Sequence, residues 1–160
     1  MAKKVADQLV DTLEKAGVRR IYAVTGDSLN EVNEAVRKNG RLRWIHVRHE
    51  ETGAYAAAAE AQLTGELACC AGSSGPGHVH LINGLYDAQR SGARVLAIAS
   101  TIPSREFGTE YFQETNTIKL FDDCSYYNQV ATTPEQFPRM LQGAMQAAIS
   151  SCGVGVIGLP

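Results

Sequence analysis

Short apolar runs alternate with helical segments along the chain, and this alternation restricts the fold more than any other feature. The runs predict strands at 21–24, 44–47, 67–71, 95–99, 126–130 and 154–157. Helical spacing or strong helix formers lie between them, at 3–16, 29–38, 49–63, 134–151 and from the end of a 72–77 loop to 91. Residues 102–117 show no regular pattern.

Parallel strands need crossover connections and are buried on both faces. The alternation therefore predicts an α/β fold, a three-layer α/β/α domain with a mainly parallel central sheet, and the 160 residues suit a single domain over 1–160. Glycines 17, 40 and 65 are expected to end helices, and Ser28 or Asp27 to cap the second one. Ligands of such sheets lie beyond the carboxyl ends of the strands. Function is thus expected in the turns that follow the first four strands.

Charge and cysteine content exclude several classes of function. Fifteen basic residues against 17 acidic ones give a net charge of −2, which favours neither nucleic acid nor an anionic membrane as partner. The four cysteines show no metal-binding spacing, so we expect buried or free thiols in a reducing cytoplasm. The N-terminus lacks the apolar core of a signal peptide, and no run approaches membrane-spanning length, so we expect a soluble cytoplasmic protein.

The glycine-rich loop at 72–77 fits several known motifs poorly. A dinucleotide fingerprint needs glycine where His80 stands, and a Walker loop needs a Gly-Lys-Ser/Thr ending that the loop lacks. A nucleophile elbow needs glycine where Pro76 stands. A tight turn from strand to helix explains much of the run without any ligand.

Glu50 begins the helix that follows the second predicted strand. A carboxylate there is favourable with the helix macrodipole and needs no chemical role, as adjacent Glu51 illustrates. Positions 54, 57 and 61 continue the face of Glu50 with alanine only. Such a flat face lets another helix or subunit approach closely and places the carboxylate in a dry interface, while plain core packing remains the alternative.

Four motifs and the alanine-rich helix after the first of them carry a family resemblance when taken in order. The motifs are Arg48-His49-Glu50-Glu51, the 72–77 loop, the segment 80–88 and Tyr111-Phe112-Gln113-Glu114. Together they resemble the N-terminal pyrimidine-binding (PYR) domain of thiamine diphosphate-dependent enzymes, with the greatest likeness to pyruvate oxidase and pyruvate dehydrogenase (quinone). The likeness runs from about residue 4 to 160.

This resemblance implies a role for particular residues. Glu50 matches the glutamate that hydrogen-bonds N1′ of the cofactor aminopyrimidine and favours the imino tautomer of its 4′-amino group. Pro76 and Asn83 match positions close to the pyrimidine, where they would shape and orient it. Four further residues match positions around the substrate pyruvate: Gly26, His80, Phe112 and Gln113.

The resemblance also implies cofactors and partners beyond this chain. Magnesium with the diphosphate, and FAD in the oxidases, belong to further domains, so we expect residues 1–160 to end before them. The expected partner is the diphosphate-binding domain of a second subunit, and the chain alone should be inactive. Apolar faces that normally meet other domains would also let two copies form a homodimer. The alternatives are an acetolactate synthase-like carboligase half-site and a non-catalytic engineered or ancestral module.

Overall fold

The computed structural model describes residues 3–160, and its centre is a six-stranded sheet in the order β2-β1-β3-β4-β6-β5. The strands are β1 (Arg20–Ala23), β2 (Arg43–His46), β3 (Ala68–Gly72), β4 (Val95–Ser100), β5 (Tyr127–Val130) and β6 (Val154–Leu159). Every neighbouring pair is parallel, with Cys69 opposite Leu96 and Leu96 opposite Gly155. The predicted parallel sheet is confirmed.

Helices cover both faces of this sheet. They are α1 (Val5–Lys15), α2 (Asn30–Asn39), α3 (Glu50–Thr64), α4 (Pro76–His80), α5 (Ile82–Ser91), α6 (Thr117–Leu120) and α7 (Phe137–Ser151). One core cluster holds buried side chains of α1, α2 and α7, including Leu13 and Leu141. The other holds those of α3 and α5, including Ala57 and Leu85. Two separate cores, one on each side of the strands, make this the predicted α/β/α sandwich.

The helix ends confirm three predictions and overturn one. Gly17, Gly40 and Gly65 have φ of 89°, 68° and 73° and lie where their helices end. The predicted cap at Ser28 or Asp27 is wrong, because both residues belong to a 3-10 turn, Asp27–Leu29, and α2 begins after it. The hydroxyl of Ser28 instead accepts a 2.9 Å hydrogen bond from the backbone N–H of Ser74, so a tertiary contact takes the oxygen that a cap would have used.

The alanine face of α3 meets a helix of the same chain. Ala54, Ala57 and Ala61 are buried. A Cβ on Gly84 of α5 would lie 2.5 Å from the Cβ of Ala54, so α3 and α5 approach at a distance that only glycine allows. The expected close approach therefore occurs within the chain, and Glu50 lies at the N-terminal end of the same helix.

Two smaller findings bear on the other expectations. Cys69, Cys70 and Cys124 are buried free thiols and Cys152 is an exposed one. Desolvation by burial raises the pKa of Cys70 to about 12 and that of Cys124 to about 11. Across residues 3–160, no helix has both the length and the apolar character needed to cross a membrane.

Candidate functional site

The turns after β1 and β3 pack tightly against each other at the carboxyl edge of the sheet. A Cβ on Gly26 would lie 2.5 Å from Ser73 Cβ. Within the loop, a Cβ on Gly72 would lie 2.6 Å from the Cα of His78. Such distances exclude any side chain. The glycines therefore bring two turns of backbone together, which agrees with the tight-turn interpretation of the loop.

Glu50 projects into this region from the first turn of α3. Its side chain is only 10% exposed, so the carboxylate is held largely away from water. A Cβ on Gly77 would lie 3.3 Å from Glu50 Oε1 and 2.4 Å from Ser73 Oγ. Glycine at 77 therefore leaves room for the carboxylate and the Ser73 hydroxyl to share one small space.

His80 is the polar partner of Glu50. Its Nδ1–H donates a 3.0 Å hydrogen bond to Glu50 Oε2. The His49 ring stacks on the His80 ring with centroids 4.4 Å apart and planes at 24°. Nδ1 of His49 accepts a 3.3 Å hydrogen bond from Glu51 N and so caps α3. Two half-exposed imidazoles thus flank one buried carboxylate.

A cleft of about 810 Å³ lies on the other side of Ser73. It brings together Gly26, Phe112 and Gln113, three of the residues that the resemblance associates with substrate. The cleft is lined by Gly26, Asp27, Ser28, Ser73, Ser74, Thr101, Ile102, Pro103, Ser104, Tyr111, Phe112, Gln113 and Pro160. His80, the fourth of those residues, is not part of the lining and contacts Glu50 instead.

Two residues of the cleft differ in how firmly they are held. Gln113 Oε1 accepts a 2.9 Å hydrogen bond from Ser74 Oγ, which ties the segment before α6 to the glycine loop. Phe112 is 83% exposed, so its ring makes little contact within this chain. Gln113 therefore holds the backbone of this segment in place, while the Phe112 ring remains exposed to solvent.

Pro76 and Asn83 lie outside the cleft. Pro76 is the first residue of α4 and Asn83 belongs to the first turn of α5, and both are exposed. Pro76 shares α4 with His80, whereas Asn83 belongs to the next helix, α5. The structure thus places His80 against Glu50 and places Gly26, Phe112 and Gln113 in the cleft.

His78 is a buried polar residue to which the sequence analysis assigns no role. Its Nδ1–H donates a 2.7 Å hydrogen bond to Ser100 O, and its Nε2 accepts a 2.6 Å hydrogen bond from Thr115 Oγ1. Desolvation by burial lowers the pKa of this imidazole. The pair of bonds fastens the irregular segment before α6 to the end of β4. In the sequence, His78 directly follows the glycine-rich loop at 72–77, which is the feature that could have drawn attention to it.

Comparison with known proteins identifies the family. A family model described as "Thiamine pyrophosphate enzyme, N-terminal TPP binding domain" matches residues 3–120. The chain belongs to this family. The matched range includes Glu50, His80, the glycine loop and the segment containing Gln113. Thiamine pyrophosphate is another name for thiamine diphosphate, so the family predicted from the motifs is confirmed.

Individual relatives include enzymes of different chemistry. An uncharacterised 42.6 kDa protein of Pseudomonas amyloderamosa is 56% identical over 98% of this chain and 40% of its own length. Pyruvate oxidase of Lactiplantibacillus plantarum is 38% identical over 95% of this chain and 25% of its own length. Acetolactate synthase 3 of Brassica napus is 33% identical over 92% of this chain and 23% of its own length. The chain thus spans less than half the length of these relatives.

The side chains near Glu50 include groups that can hydrogen-bond the edge of a heteroaromatic ring. A Cβ on Gly77 would fill the small space between Ser73 Oγ and Glu50 Oε1, and the Glu50 carboxylate has low water exposure. Pro76 and Asn83 are exposed and carry an apolar ring and an amide at the starts of α4 and α5. A carboxylate and an amide are groups that can hydrogen-bond the edge of an aminopyrimidine.

Proposed function

We propose that this chain is the pyrimidine-binding half-site of a thiamine diphosphate-dependent pyruvate oxidase or pyruvate:quinone dehydrogenase. The observation that carries the proposal is the largely buried carboxylate of Glu50 at the start of α3, hydrogen-bonded to His80. Low water exposure strengthens a hydrogen bond between a carboxylate and a ring nitrogen. When bound, thiamine diphosphate supplies stabilisation of the negative charge that forms when a 2-oxo acid loses carbon dioxide.

In this proposal Glu50 holds a proton between its carboxylate and N1′ of the aminopyrimidine. His80 is a positioning residue, because its hydrogen bond fixes one carboxylate oxygen and leaves the other for the cofactor. Pro76 and Asn83 orient the ring. Glu50 is thereby a positioned general acid and base.

The cleft is the proposed place of the substrate. Gly26 and Gln113 line it with backbone and amide groups, and Phe112 supplies an exposed apolar ring. Amide donors stabilise negative charge that develops on carboxylate or enolate oxygens. The pyruvate oxidase relative supports pyruvate as substrate, whereas the acetolactate synthase relative supports carboligation as a second candidate.

Further domains are part of the same proposal. Magnesium and FAD would be bound by other domains of the parent enzyme, and the diphosphate by a second subunit. The chain alone would therefore bind the cofactor weakly, through the pyrimidine only. We further expect no pyruvate consumption at an enzyme-like rate from the isolated chain with thiamine diphosphate and Mg²⁺.

A protein NMR titration with thiamine diphosphate and Mg²⁺ tests this proposal. Amide signals of Glu50, Gly77 and Asn83 should shift in the native chain and shift less in Glu50→Gln. Glu51→Gln is the matched control, because it removes the neighbouring carboxylate of the same helical turn and should bind as the native chain does. Absence of localised shifts at millimolar cofactor, or equal shifts in Glu50→Gln, would overturn the proposal.

A further inference from the structure

The imidazoles around Glu50 suggest a second ligand for this region. His49, Glu50 and His80 each offer one ligand atom, and these atoms lie within 4.8 Å of one another. A search of residues 3–160 for three or more histidine, cysteine or acidic side chains close enough to share a metal ion finds this group. We propose that His49, Glu50 and His80 bind one divalent transition-metal ion of the Zn²⁺ type.

The spacing of the ligand atoms is close to that of a metal site. On a tetrahedral ion with bonds of about 2.0–2.2 Å, two ligand atoms lie about 3.3 Å apart. Nδ1 of His80 and Oε2 of Glu50 are 3.0 Å apart. This pair needs almost no movement once the His80 ring hydrogen has moved from Nδ1 to Nε2, and the half-exposed ring of His49 turns out of its stacking on His80 to reach the ion.

The ligand types select the class of ion. Imidazole nitrogen suits zinc, copper, nickel and iron, whereas magnesium prefers oxygen ligands and retains several waters. Two imidazoles and one carboxylate, with a fourth position left for water, form the ligand set of an open zinc site. Both imidazoles are half-exposed, so an ion can enter from solvent.

Glu51 completes the arrangement. Nδ1 of His49 now accepts a long hydrogen bond from Glu51 N and lies 3.9 Å from Glu51 Oε2. If His49 binds the ion through Nε2, the ring hydrogen moves to Nδ1 and the Glu51 carboxylate becomes its acceptor. Metal-binding histidines are commonly held in this way by a carboxylate.

Metal binding has a consequence for the proposed function. Glu50 cannot serve a metal ion and an aminopyrimidine at once, so the ion should compete with the cofactor. This consequence rests on the proposed function, whereas metal binding itself does not.

Cobalt(II) is the probe, because four-coordinate Co²⁺ absorbs visible light and Zn²⁺ replaces it. The protein is the untagged chain carrying Cys152→Ser, which removes the exposed thiol. We expect visible absorption that saturates at one equivalent of Co²⁺, disappears on addition of Zn²⁺ and is unaffected by Mg²⁺. His49→Gln and His80→Gln should each weaken Co²⁺ binding by more than about tenfold. His46→Gln, an exposed histidine outside the cluster, should leave binding unchanged.

Two results would overturn the metal site: no visible absorption at millimolar Co²⁺, or Co²⁺ binding in His49→Gln or His80→Gln that is as tight as in the parent protein. Circular dichroism verifies that each variant is folded. We expect this result because His49 and His80 are half-exposed and their replacement leaves the core intact. Thiamine, which lacks the metal-chelating phosphates, should then displace Co²⁺. If thiamine bound without displacing Co²⁺, the pyrimidine role of Glu50 would be contradicted and the metal site would stand.

Discussion

Nδ1 of His80, at the end of α4, donates a 3.0 Å hydrogen bond to Oε2 of Glu50, at the start of α3. The carboxylate is 10% exposed and the imidazole 44% exposed, so the bond runs from the interior toward the surface. It fixes one oxygen of a desolvated carboxylate and the ring nitrogen that carries the hydrogen. The proposed chemistry depends on this pair.

Replacing Gly77 with alanine should disturb Glu50 directly. The new Cβ would lie 2.4 Å from Ser73 Oγ and 3.3 Å from Glu50 Oε1. We expect a loss of about 1–3 kcal/mol in the free energy of unfolding, measured with urea. Adding Ser73→Ala removes the closer contact and should restore part of the loss. A Gly77→Ala variant of native stability would show that the loop relaxes without cost.

Gly84→Ala tests the close approach of α3 and α5. Alanine favours an exposed helix interior by about 1 kcal/mol over glycine. Here its Cβ would lie 2.5 Å from Ala54 Cβ and 2.8 Å from Tyr55 N, so backbone atoms must move. We expect net destabilisation of about 1–3 kcal/mol in urea unfolding. Stabilisation would mean that the helices separate easily.

His78 should make stability depend on pH in the mildly acidic range. Burial lowers its pKa in the folded chain, so below about pH 6.5 the unfolded chain binds a proton that the folded chain does not. Stability should therefore fall as pH decreases from about 6.5 toward the folded pKa. The lowered pKa of Glu34, about 2 against an ordinary value of 4.5, changes stability only below about pH 4.5 and so does not contribute in this range. His78→Gln should flatten the free energy of unfolding between about pH 7.5 and 5.5. If the free energy of unfolding of His78→Gln changed with pH as in the native chain, His78 would not be the cause of the pH dependence.

Gln113 and Phe112 are neighbours with opposite structural roles. Gln113→Ala removes the acceptor of the Ser74 hydroxyl and should cost about 1 kcal/mol, with faster amide exchange from 108 to 115. Phe112→Ala removes a ring that is 83% exposed and should change the free energy of unfolding by less than about 0.5 kcal/mol. Equal losses in the two variants would contradict this distinction. Hydrogen exchange and urea unfolding measure both.

The strand and helix order could be predicted because the central strands are short apolar runs buried on both faces, with helical segments between them. Burial is complete along β3 and β4, which contain apolar or small residues throughout. Helix ends were predictable where glycine adopts positive φ, as at Gly40 and Gly65. The start of α2 was not, because Ser28 serves a loop 46 residues away and local capping rules do not consider such a contact.

The candidate site was predictable in its turns but not in its contacts. Parallel topology places Gly26, Glu50 and the glycine loop at one edge of the sheet, and the strand pattern implied that. Which side of Ser73 each residue occupies depends on the packing of two turns. His80 was therefore grouped with Phe112 and Gln113, whereas its contact is Glu50. His78 was assigned no role because the sequence does not reveal its hydrogen-bond partner, Thr115, which lies 37 residues away.

The most direct test of the central claim combines one protein change with one ligand change. Affinity is measured by NMR for thiamine diphosphate and for an analogue in which CH replaces N1′ of the pyrimidine. The native chain and Glu51→Ala should bind the analogue about tenfold more weakly, as expected for loss of a hydrogen bond to a charged group. Glu50→Ala, which leaves no polar side-chain group for N1′, should bind both ligands with similar affinity. If the native chain bound the two equally, Glu50 would not contact N1′ and the account would be wrong.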